Sequence, residues 1–177
     1  MLPCFLTFVL LGSATHLRAS VDMFLKIPAA PGESADATHT GDIDVLSFSW
    51  GASNQASVTT GGTLTSYGLF QDLTIVKKVD KSTPKLMLMV MNGQRQATIT
   101  FYVRSRGTNP VEFLKFTLTN VIISAIQPAG QSAADNLIES LALRFSKIKI
   151  DYIPINPNGS AGAVVSTFWD AQTQTGG

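Results

Sequence analysis

From Leu141 to Tyr152 the chain reads Leu-Ala-Leu-Arg-Phe-Ser-Lys-Ile-Lys-Ile-Asp-Tyr, an interleaving of apolar and polar residues that only an extended strand can sort onto two faces. The same texture recurs along the chain. Short β-rich runs are separated by clusters of Gly, Pro, Asn and Asp, the pattern of an all-β sandwich or barrel. Strands are expected over 21–27, 43–50, 73–79, 97–104, 112–127, 137–155 and 163–172. In Ile43 to Trp50 the expectation is that Leu46, Phe48 and Trp50 point to the core and Ser47 and Ser49 away from it. Residues 54–68, rich in Gly, Ser and Thr, read as a flexible hairpin tip. One helix interrupts the strands. Asp80-Lys-Ser-Thr-Pro84 is a start signal, in which a hydroxyl can cap free amides and proline at the first helical position forfeits no bond. Lys85 to Asn92 then runs to Gly93, a residue suited to the left-handed end of a helix. Its methionines are assigned to core packing, with a pliable binding groove as the alternative.

With 177 residues, 45% of them apolar and 14% charged, the chain can bury a core without metals or disulfides. Its only cysteine is Cys4. Residues 1–20 are set apart as an apolar leader, which resembles the hydrophobic region and small-residue end of a secretory signal. A start codon placed upstream of a product beginning near Val21 or Met23 is the alternative. The leader is too short to span a bilayer comfortably, so no stable membrane insertion is expected. Residues 21–177 are expected to form a single domain.

A net charge of +1 lacks the basic footprint that nucleic acid requires. The two histidines, His16 and His39, lie far apart, so no metal site is expected, and no cofactor motif is present. Gly61-Gly62 lacks the spacing and lysine of a phosphate loop. A catalytic serine would want a histidine or lysine base and a strained elbow such as G-x-S-x-G, and no such motif is present. His39 with Asp36, Asp42 or Asp44 is the one conceivable base and orienter, against a capping or interface histidine. Asp42 and Asp44 read as a solvated or inter-subunit pair. Lys77, Lys78, Lys81 and Lys85 read as a solvated basic face. The polar stretch Glu33 to Gly41 has no apolar period and reads as a long surface loop. Phe48, Trp50 and Trp169 are the expected core anchors. No enzyme is expected.

Taken as an ordered set, several segments closely resemble the Hcp family, the haemolysin-coregulated inner-tube proteins of type VI secretion systems. They are Val21 to Ile27, Gly32-Glu33-Ser34 with Asp36 and His39, Ile43 to Gly51, Val76 to Pro84, Tyr102 to Arg104, Val121 to Ala125, Ile148 to Tyr152, and the last strand with Phe168-Trp169. The resemblance covers nearly everything after Ser20. It implies a compact β-barrel of two antiparallel sheets with one helix, assembling into homohexameric rings that stack into a tube. It implies loading in the bacterial cytoplasm, then secretion, with effector proteins carried in the ring lumen and with tube-tip and sheath components as further partners. The leader departs from the family pattern and leaves periplasmic export open. Leu86 to Met91 is also more apolar than the family's usual helix end. On this resemblance Gly32, Glu33, Ser34, Asp36 and His39 form the ring-stacking loop, and Ser47 and Ser49 face the lumen. A secreted β-sandwich that binds carbohydrate or a host surface is the alternative.

Overall fold

The computed structural model describes residues 20–130 and 137–177. The apolar leader, apart from Ser20, lies outside them. Six strands close into a barrel in the order β7-β6-β1-β2-β5-β8 and back to β7, all neighbours antiparallel. These are β1 (Val21–Lys26), β2 (Ile43–Ser49), β5 (Leu73–Lys78), β6 (Gln96–Ser105), β7 (Glu112–Ala129) and β8 (Ile138–Arg144). Closure leaves these strands no free edge. A second sheet grows from the barrel through β9 (Lys147–Tyr152), β10 (Val165–Asp170) and β11 (Thr175–Gly176). The fold class is therefore the one expected from the alternation.

The 18-residue strand β7 joins the two sheets. Leu114 to Thr119 pair with β9, whereas Ile122 to Ala129 pair with β8. Between the two stretches Asn120 has φ 56, and its side-chain oxygen accepts a hydrogen bond from Arg95 Nη1 at 3.0 Å. Asn is among the residues that tolerate this left-handed conformation. The strand expected over 137–155 is divided in the structure. Ser146 and Lys147 put two polar residues in succession, the alternation changes phase, and the chain turns from β8 into β9.

Helix α1 (Thr83–Asn92) packs against β7 and ends at Gly93, where φ is 64 and the amide donates to Met89 O. The expected hydroxyl cap is absent: Ser82 makes no side-chain capping bond, and its amide and hydroxyl both donate to the Asp80 carboxylate. Nor is the helix buried all round. Leu86 and Met89 enter the core, but Leu88 and Met91 face outward, Met91 at 79% exposure. The assignment of the helical methionines to the core thus holds for Met89 and fails for Met87 and Met91.

Inside the barrel, Leu25, Ile43, Ile75, Ile99, Leu118 and Leu141 belong to one fully buried cluster. An aromatic group of Phe48, Phe101, Phe116 and Trp50 stands beside it, with centroids 4.8 to 6.0 Å apart. The polarity of β2 is not the simple alternation expected. Ile43 and Val45 point inward, then the register with β5 shifts between Val45 and Ser47. Leu46 faces solvent, as alternation from Ile43 and Val45 requires, and the irregularity then returns Phe48 and Trp50 to the core side.

Candidate assembly surface

Residues 28–42 cross from β1 to β2, and the backbone builds its own scaffold there. Gly32 N donates to Gly41 O at 2.8 Å, Gly41 N to Ser34 O at 2.9 Å, and Ser34 N to Asp42 O at 3.0 Å. Gly32 is required for this path. A Cβ on it would lie 2.5 Å from Asp42 O and 2.7 Å from Ile43 Cα, both backbone atoms that cannot yield.

The loop was expected at the surface. Glu33, Ala35, Thr38 and Thr40 are exposed, but Ser34 and His39 are buried, His39 to 5% exposure. The imidazole stacks on Phe24 of β1 at a centroid distance of 4.1 Å and lies 4.8 Å from the Tyr102 ring of β6. Its Nδ1 is 2.9 Å from Asp42 Oδ2 and its Nε2 is 3.2 Å from Glu112 Oε1 on β7. Burial pushes the Tyr102 phenol up, so that ring stays neutral.

Asp36 forms the loop's second tether. Its carboxylate accepts from Arg104 of β6 through both terminal nitrogens, and also from the amides of Thr38 and His39. The Arg104 guanidinium, aided by those amides against the opposing effect of burial, holds the Asp36 carboxyl well below the usual carboxylate range. Asp22 takes a further contact from Arg104 and a 2.6 Å bond from Arg106 Nε. The ring-stacking residues expected from sequence are thus gathered in one loop, with Gly32, Ser34 and His39 inward and Glu33 outward.

Two features were missed. Residues 54–68 are not only a tip: β3 (Ala52–Val58) and β4 (Leu64–Phe70) form a regular two-stranded hairpin, register Ala52 with Phe70 through Val58 with Leu64. Val58, Leu64, Tyr67 and Leu69 are exposed on it. No apolar period betrayed these strands, because neither face is buried. The hairpin root rests on β10, where Gly68 lies against the Trp169 indole. Trp50, Phe70, Ile148, Phe168 and Trp169 line an apolar cleft of about 490 Å³ beneath it. Trp50 and Trp169 are half-buried against the core, and among the described residues their indole nitrogens find no hydrogen-bond partner.

The second miss is Lys77, read as part of a solvated face. It is fully buried, with Nζ 2.7 Å from Asp80 Oδ1 and 2.6 Å from Glu139 Oε1. Glu139 is 62 positions away, so nothing local in the sequence announces the pair. Ser47 and Ser49 are exposed on the outer face of β2. Among the described residues no three His, Cys, Asp or Glu side chains gather to hold a metal ion, and no helix is long and apolar enough to cross a membrane.

Residues 24–152 match the model of the family described as "Type VI secretion system effector, Hcp". The chain is 39% identical over 155 residues to Protein hcp1 of Pseudomonas aeruginosa, covering 85% of this chain and 95% of that one. Among solved structures, one titled "Structure of a type six secretion system protein" superposes with a TM-score of 0.83 at 25% identity, covering 89% of this chain and all of that one. Hcp1 from Salmonella typhimurium follows with a TM-score of 0.72 at 25% identity, over 88% and 98% of the two chains.

Proposed function

Because the chain belongs to the Hcp family of secreted, structural type VI secretion proteins, we propose that it works by assembling with copies of itself into hexameric rings that stack into a tube. The observation that carries this reading is the β3–β4 hairpin. An isolated two-stranded hairpin is marginal in water, and this one holds Val58, Leu64, Tyr67 and Leu69 out in solvent along its length. A self-assembling chain has a use for that surface. Heterologous contacts that close make rings and those that do not close make filaments, so a tube requires both kinds.

In this reading the outer rim of the 31–41 loop, Glu33 with Thr38 and Thr40, meets the next ring. Ser47 and Ser49, small polar side chains turned away from the core, line the lumen and leave room for effector proteins. The rings load in the bacterial cytoplasm and leave with their cargo, tip and sheath components being the other partners. Residues 21–177 serve as one folded unit, and neither catalysis nor a cofactor is needed. Glu33→Arg, a change at an exposed position, is expected to leave hexamers intact and to stop tubes forming in electron micrographs. Unaltered tubes would remove the loop from the stacking contact. Ser49→Gln is expected to weaken cargo retention in pull-downs, and full retention of every cargo tested would take Ser49 off the lumen wall.

A further inference from the structure

We propose that copies of this chain meet head to tail through opposite charge, the loop-bearing end of one sheet being acidic and its far end basic. This contact deepens the stacking role proposed above, on which it rests, by naming the surface that the loop end meets.

Strands β1, β6, β7, β9 and β10 pair side by side, so their register ranks each charge along β6, which at 10 residues is about 30 Å long. At one end Arg95 directly precedes β6, and the Thr98–Thr119 pair leads across to Lys147 on β9. Lys26 lies on the same side of the acidic residues, paired with Thr100. At the other end Glu112 pairs with Arg104, and Asp42 is joined to Glu112 through the His39 ring. Asp44 follows, opposite Phe24, which pairs with Tyr102.

The remaining charges on these strands are mostly answered within the chain. Arg104 and Arg106 are taken by Asp22 and Asp36, and Lys149 by Asp151. Among the described residues Lys26, Arg95 and Lys147 enter no ion pair. Arg95 donates to Asn120, and Lys147 sits over the Phe168 ring. Asp170 pairs with Lys147 in register, but its carboxylate accepts from the amides of Gln172 and Thr173. At the acidic end Lys115 over Tyr102 adds one positive charge, and the single His39 ring stands against two carboxylates, with Asp44 exposed beyond them. Each end thus keeps an excess of one sign. Charges without a partner in their own chain are open to another, and opposite signs at opposite ends of one sheet match in a repeating, head-to-tail contact. Two like ends would repel, so the same charges disfavour a back-to-back pair. The inter-subunit alternative for Asp42 and Asp44 takes this form, with the Arg95–Lys147 end of a second copy as their partner.

The test is sedimentation velocity of the full chain, with the same samples imaged by electron microscopy. Raising sodium chloride from about 50 mM to about 500 mM shortens the screening length about threefold and is expected to weaken end-to-end association about tenfold. Arg95→Glu with Lys147→Glu makes both ends acidic, and Asp44→Lys with Glu112→Lys makes both basic. Each double variant is expected to lose association when alone, and an equimolar mixture of the two to regain it. Should a double variant fail to fold, Arg95→Glu and Asp44→Lys, each at an exposed position, carry the same comparison. Association that ignores salt, that survives the reversals, or that the mixture does not restore overturns the charge contact, and tubes that persist through those changes leave stacking itself in place. A mixture that regains association without tubes in the micrographs upholds the contact and removes the tube. Wild-type particles that stay separate at low salt overturn both.

Discussion

Lys77 brings a full charge to a place without water, and its Nζ is answered by Asp80, Glu139 and the carbonyl of Lys78. A buried ion pair adds little by itself, but removing one partner strands the other. Lys77→Met is expected to cost about 3–5 kcal/mol by urea denaturation, and Lys77→Met with Glu139→Leu to recover most of it. A double variant no more stable than the single would show that the loss comes from packing. Asp36 belongs to the same scale. Its folded carboxyl is held below its ordinary range by Arg104, so the stabilisation is complete above that range and drains away as pH falls from it towards the lowered folded value. Arg104→Met is expected to shrink the acid-side fall in melting temperature, and an acid limb that keeps its wild-type steepness would show that the pair contributes nothing. None of these partnerships is legible in sequence. Asp36 and Arg104 are 68 positions apart, and although the parity of Leu73 and Ile75 puts Lys77 on the buried face, its charge and its lysine neighbours read as a solvated run.

The elements explain which side chains the sequence places well. β5 and β6 were readable because each has a buried face that imposes alternation, as in Leu73 and Ile75 against Thr74 and Val76. β2 was readable as a strand but not in its facing, since the irregularity after Val45 reverses the parity that puts Leu46 outside. The hairpin β3–β4 escaped because, beyond its root at Gly68 and Phe70, its strands bury nothing within one copy. In α1 the start and the Gly93 stop were both legible, while the outward turn of Met91 was not, since an apolar residue looks the same whether covered or bare. Met89→Ala is therefore expected to cost about 2–5 kcal/mol in unfolding free energy, and Met91→Ala less than about 0.5 kcal/mol. Equal losses at the two positions would mean that the helix face is covered within a single chain. Trp50 and Trp169, half-buried at the foot of the hairpin, are expected to cost about 3–5 kcal/mol on truncation to Ala if the core holds them. Normal stability with lost oligomers would assign them to an interface.

At the scale of the molecule, the closed barrel removes the edges of its own strands, and the second sheet and the hairpin carry what remains open to others. The family resemblance was legible because its signature is an ordered set of strand ends and loop residues spread over most of the chain, and the match over residues 24–152 bears it out. Where copies meet is another matter, because an interface is written in surface that one chain leaves uncovered. The direct test is the mass of the full chain in solution by light scattering, with the same sample imaged by negative-stain electron microscopy. A particle of hexamer mass that appears as rings, some of them stacked, is the expected result, and a monomer that persists at high concentration would contradict self-assembly as the function.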